Sequence, residues 1–263
     1  MSVIPIDWGH AREAAERATH DVAALLSEVR DPTAPVPGLD WTVGEVGAHL
    51  VTLAHGYAGF ARGESSAVPP GQNFDDENAR RLQEFTIRDP QELARMLVEG
   101  STAFHALIEA DDSRMTLGDV PIDRGVAAGV WTGELRLHGL DIARALRRRW
   151  RISREDALLT TYSALPMAPH YVNGEAARGL HATYEIRFRG GETIAMRFDD
   201  GRLTVTRGRT AKADCRISAD PEAALLIGYG RISRWTAALK GKVVGWGRKP
   251  WLLLRFNDLI VGV

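Results

Sequence analysis

The sequence predicts two domains of different class: a helical N-terminal part, followed by a smaller α+β part with an antiparallel sheet. Three observations lead there. At 263 residues the chain exceeds one compact core. Apolar residues recur at spacings of three and four through roughly the first 165 positions, the period of helices packed on one face. Beyond Asn173-Gly174 the pattern changes to strict alternation, the period of half-buried strands. The boundary is therefore set at that change, with domains at 1–170 and 171–263.

From Asp7 to Arg30 a first helix follows from Ala14, Ala18, Val22, Leu25 and Val29. Pro32, Pro35, Pro37 and Gly38 end it. Thr42 and Glu45, three apart, form a capping box for a second helix to about Arg62, with Val46, Leu50, Leu53, Tyr57 and Phe60 inward and His49 beside them. A loop is expected over Gly63–Asn73, then a polar helix through Asn78, Leu82 and Phe85. Asp89-Pro90 opens another helix, because Asp caps and Pro suits the first helical position. The longest helix spans Arg124 to Trp150, with Arg147-Arg148-Arg149 in its last turn offsetting the helix dipole rather than forming a nucleic-acid patch.

A helix from Glu155 leads to the boundary. Tyr184, Ile186 and Phe188, then Ile194, Met196 and Phe198, then Leu203 and Val205 give three strands of a meander, turned at Gly190-Gly191 and Asp200-Gly201. Cys215 and Ile217 fall in a fourth strand. Pro221 opens a helix through Leu225 and Ile227; a helix at Trp235–Leu239, an extended Val243-Val244 and a terminal helix from Pro250 complete the chain. There is no internal repeat.

A net charge of −1 gives no overall attraction to nucleic acid or anionic membrane, although local patches remain open. No apolar stretch is long enough to span a bilayer, and the lone cysteine, Cys215, cannot form an internal disulfide. A cytoplasmic protein with no nucleic-acid or membrane partner is expected. Gly228-Tyr229-Gly230 follows a helix and lacks a third glycine, so it is no dinucleotide fingerprint, and no phosphate loop or hydrolase elbow is present.

Glu134 and His138 carry the clearest chemical signal. One helical turn apart, their side chains leave the same face about 6 Å from each other. With His49 from the second helix they would supply two imidazoles and a carboxylate to one divalent ion, leaving a fourth position for water or substrate. The same spacing also suits an ordinary surface pair, and a lone histidine near an apolar face is commonly a core residue. Asp141, one turn past His138, either orients that imidazole or makes a solvent-facing salt bridge. His20, His55 and His105 are read as structural or exposed, and Cys215 as a small buried residue.

Trp41-Thr42-Val43-Gly44-Glu45-Val46, Ala48-His49-Leu50 and Glu134 with His138-Gly139-Leu140-Asp141-Ile142-Ala143 resemble the mycothiol-dependent maleylpyruvate isomerase family. That resemblance covers roughly the first 165 residues. It implies a DinB-like four-helix bundle in which His49, Glu134 and His138 hold a divalent metal, usually Zn2+. The C-terminal meander, with Gly230, Ala237-Ala238 and Gly241-Lys242-Val243, resembles a sterol-carrier-type domain. Together they imply an enzyme using mycothiol, an isomerase or thiol S-transferase acting on a small electrophile, with no dedicated protein nucleophile. An arginine among Arg207, Arg209, Arg231 and Arg234 would bind a substrate carboxylate, or each serves as surface charge. The alternatives are a lipid or apolar-ligand binding protein with the bundle as scaffold, and a regulatory protein that keeps the ligands without turnover.

Overall fold

The Asp7 carboxylate accepts from the His10 backbone N–H and so starts the first helix of the computed structural model, α1 (Trp8–Ser27). The structure describes residues 3–64, 75–112, 115–117 and 120–260. The expected Gly63–Asn73 loop lies outside the described residues from position 65 on. Contacts divide the chain into two compact units, with the change at Ile152 and Ser153.

The first unit is built on four long helices. α2 (Val43–Ala61) begins with the expected capping box: Thr42 N–H and Oγ1 both reach Glu45 Oε2 at 2.8 Å. α3 (Asp75–Glu84) is short and polar. α4 (Pro90–Ala110) starts from Asp89 with proline in its first turn. Two-residue strands β1 (Thr116–Leu117) and β2 (Val120–Pro121) pair ahead of α5 (Arg124–Ala145), which Asp123 caps. α1 packs on α5 and α4, and α2 packs on α4, around Trp131, Phe104, Leu26, Leu50, Leu93 and Leu97. Small residues permit the closest approaches. A Cβ on Gly47 would stand 3.1 Å from both Leu26 and Leu93, so a larger residue there would have to push those side chains back.

α5 ends at Ala145, five residues short of the helix the sequence suggested. Arg147 takes a left-handed φ of 55° and Arg148 N–H returns to Ala143 O. The chain then folds back to lay Trp150 against α5, so the arginine run follows the helix instead of forming its last turn.

In the second unit α6 (Arg154–Ala164) packs on α7 (Pro221–Gly228). Five strands, β3 (His181–Phe188), β4 (Thr193–Asp199), β5 (Arg202–Arg207), β6 (Cys215–Ala219) and β7 (Val243–Trp246), lie in the order β5-β4-β3-β6-β7. The β3-β4-β5 meander is as expected. β6 pairs with β3 in parallel, the one departure from antiparallel pairing in this sheet. Tyr184, Ile186, Met196, Phe198, Cys215 and Ile217 fill the buried face. On the other face Glu185 is buried among Arg187, Arg216 and the Thr210 N–H, which hold its carboxyl below the usual range against the opposing effect of burial. α8 (Arg234–Leu239), a 3-10 turn at Pro250–Leu252 and α9 (Leu253–Phe256) finish the unit.

Candidate metal centre

His49 is delivered to the interior by the start of α2. Two backbone bonds, Val36 N–H to Trp41 O and Val43 N–H to Ala34 O, hold the chain entering the helix. From the Thr42 cap, the seventh residue faces α5. There α5 presents Glu134, His138 and Asp141 on successive turns of one face.

One ligand-type atom each from His49, Glu134 and His138 lies within 4.8 Å of the others. His138 Nε2 is 3.6 Å from Glu134 Oε2, and its Nδ1 is 3.2 Å from Asp141 Oδ2, at an angle outside hydrogen-bond geometry. His49 and His138 meet edge to face at 4.9 Å between ring centres. Both histidines are buried, Asp141 is 1% exposed, and the Glu134 side chain, at 25%, is the open side of the cluster. The cluster fits a divalent ion. Bonds of about 2.0–2.1 Å put tetrahedral ligand atoms about 3.4 Å apart, within small side-chain rotations of the observed spacing. A set of two imidazoles and one carboxylate suits a borderline metal, and a carboxylate behind the imidazole is the usual support for such a ligand.

Trp41 walls the cluster, its ring 4.8 Å from that of His49 and 6.3 Å from that of His138. Behind it, Trp150 donates from Nε1 to Arg136 O at 3.0 Å and lies flat on Gly139, while Arg136 reaches Asp21 at 2.6 Å and stacks over Trp150. Trp41 opens the stretch that carried the family resemblance, whereas Trp150 was not expected here. A glycine inside a helical pattern, such as Gly139, is the sequence mark of such a close approach.

His20, His55 and His105 are not part of the cluster. His55 and His20 are exposed. His105 is buried, in edge contact with Trp8, and burial pushes its pKa down to about 4. Arg207 pairs with Glu192, Arg234 with Asp258, and Arg231 donates to Tyr229 O; Arg209 is exposed. Burial raises the Cys215 thiol pKa, which disfavours thiolate.

A helical unit holding a buried His–Glu–His cluster, joined to a five-stranded mixed sheet unit, defines a two-domain class. Residues 13–143 match the mycothiol maleylpyruvate isomerase N-terminal domain, and residues 167–245 match the SCP-2 sterol transfer family. The chain belongs to the mycothiol-dependent maleylpyruvate isomerase family. Among solved structures, the mycothiol-dependent maleylpyruvate isomerase is similar at a TM-score of 0.56 and 11% identity, covering 93% of this chain and 95% of that one. A histidine-to-alanine variant of that isomerase gives a TM-score of 0.55 at the same identity and coverage. Comparison with curated proteins gave no match. Among the described residues no helix is long and apolar enough to cross a membrane.

Proposed function

We propose that this chain is a metal-dependent enzyme that uses mycothiol to isomerise a small electrophilic substrate. The observation that carries the reading is the convergence of His49, Glu134 and His138 within 4.8 Å, in a chain of this family. Zinc is the ion we assign, because two imidazoles and one carboxylate leave room for a further ligand. A divalent ion held there would lower the pKa of a small thiol, and reversible addition of the thiolate to a conjugated cis double bond, followed by its elimination, would permit rotation to the trans isomer.

The protein's part is to hold and orient. His49 and His138 would bind the ion through ring nitrogens and Glu134 through a carboxylate oxygen. Asp141 puts its carboxylate charge on the Nδ1 side of His138, which would favour Nε2 as the ligating nitrogen. Trp41 covers both imidazoles and keeps water from them, which strengthens the electrostatics of the cluster. The one cysteine, Cys215, is buried with its thiol pKa raised, so we assign the sulfur to mycothiol. That assignment supports a reducing, cytoplasmic setting.

Elemental analysis of the purified chain, with isomerisation of maleylpyruvate followed with and without mycothiol, tests the reading. About one zinc per chain and thiol-dependent turnover are expected. A stable adduct in place of an isomer would assign a thiol S-transferase; metal-free protein with no thiol dependence would overturn the proposal. The SCP-2 match favours a second reading, in which the second unit holds an apolar ligand and the bundle is scaffold. Co-purified lipid on a metal-free protein would support that instead.

A further inference from the structure

The last part of the chain has a surface that the isomerase reading leaves unused. Five large hydrophobic side chains are exposed among the described residues, and four of them, Trp235, Leu239, Trp251 and Leu254, lie on α8 and on the turn leading through α9. Trp235 and Leu239 are one turn apart on α8. Trp251 and Leu254 are three apart on the next helical segment. Arg234 joins the two segments, donating to Leu254 O at 2.9 Å and pairing with Asp258 at 3.1 Å. Leu239 is 90% exposed and Trp251 60%, more than isolated surface residues of this size require.

The charge around them is one-sided. Residues 223–257 carry seven Lys and Arg and no Asp or Glu, in a chain whose overall balance is −1. Among the described residues Asp214, Asp220 and Asp258 reach in from outside the stretch to Arg248, Lys249, Lys242 and Arg234, while Lys240 follows Leu239 at the end of α8 itself. Exposed tryptophan and leucine side chains in a stretch whose charges are all lysine and arginine suit the boundary of an anionic bilayer: the rings enter the headgroup level, while the cations stay at the surface beside lipid phosphates. A second copy fits poorly, since it would set like charges against each other.

We propose that α8 and the Trp251–Leu254 turn form a docking surface for anionic membrane, on which the protein sits peripherally. The surface is independent of the metal-centre reading.

Co-sedimentation of the full chain with vesicles of phosphatidylcholine, alone or with a third phosphatidylglycerol, tests it. Binding to the anionic vesicles only, falling as salt rises, is expected. Lys240→Glu should weaken binding by more than the roughly fivefold worth of one surface cation, because it reverses the charge. Trp235→Ala with Trp251→Ala should abolish retention while thermal unfolding stays unchanged, as both side chains are solvent-facing. His138→Ala should bind vesicles like the parent, separating this surface from the metal centre. Equal binding to neutral vesicles, no binding to either, or patch-dependent dimerisation in light scattering would overturn the proposal.

Discussion

Trp150 lies across Gly139 so closely that a Cβ at position 139 would overlap the indole Cζ2. The contact sits one residue from His138, and the same indole donates to Arg136 O. The fold-back after α5 thus braces the turn that carries one candidate ligand. In an open helix, Gly→Ala would gain up to about 1 kcal/mol of helical propensity. Here, forcing the ring away costs about 1–3 kcal/mol. Gly139→Ala is expected to lower the thermal midpoint and to weaken metal binding with it; a raised midpoint would refute the brace.

Asp141 is expected to act through His138. It is almost wholly buried, with Oδ2 3.2 Å from Nδ1 of that imidazole. Asp141→Asn keeps the shape and removes the charge that favours one ring orientation. Zinc affinity, measured by competition with a fluorescent chelator, should fall about 10–100-fold. An unchanged affinity would make Asp141 a purely structural group.

The pairing of Glu134 with His138 was legible because one helical turn is a fixed distance, whatever the helix packs against. His49 was legible only as a candidate: its approach to α5 depends on Gly44 and Gly47, where Pro32, Leu26 and Leu93 crowd the helix. Alternation in Tyr184–Phe188 and Ile194–Phe198 revealed which face is buried, but not that β6 would lie parallel beside β3, because the period of two records faces and not neighbours. The end of α5 was misplaced for a similar reason. Arg147–Arg149 have helical propensity, and the contact that overrides it, Trp150 on Gly139, is tertiary.

His105 predicts an acid limb of stability. Burial sets its folded pKa at about 4, against 6.5 for the free side chain. A base with a depressed folded pKa is protonated more readily in the unfolded chain, so stability falls as pH drops through 6.5 and levels off below about 4. A shift of this size amounts to about 3 kcal/mol. In His105→Leu the slope of unfolding free energy between pH 6.5 and 4.5 should flatten, a window lying above most carboxylate titrations. An unchanged slope would place the sensitivity in another group.

A ligand that binds the folded state alone stabilises it by mass action, so zinc should raise the unfolding midpoint of the helical unit. At a free concentration a hundred times the dissociation constant the gain is about 2.7 kcal/mol. His138→Ala removes a buried ligand lying 3.6 Å from Glu134, and should leave a midpoint that neither added zinc nor chelator moves. His55→Ala removes an exposed imidazole outside the cluster and should keep the full zinc-dependent shift. Calorimetry of the parent and both variants, with zinc and with chelator, separates binding at this cluster from binding by histidines elsewhere. A shift that survives in His138→Ala would remove His49, Glu134 and His138 as the metal centre.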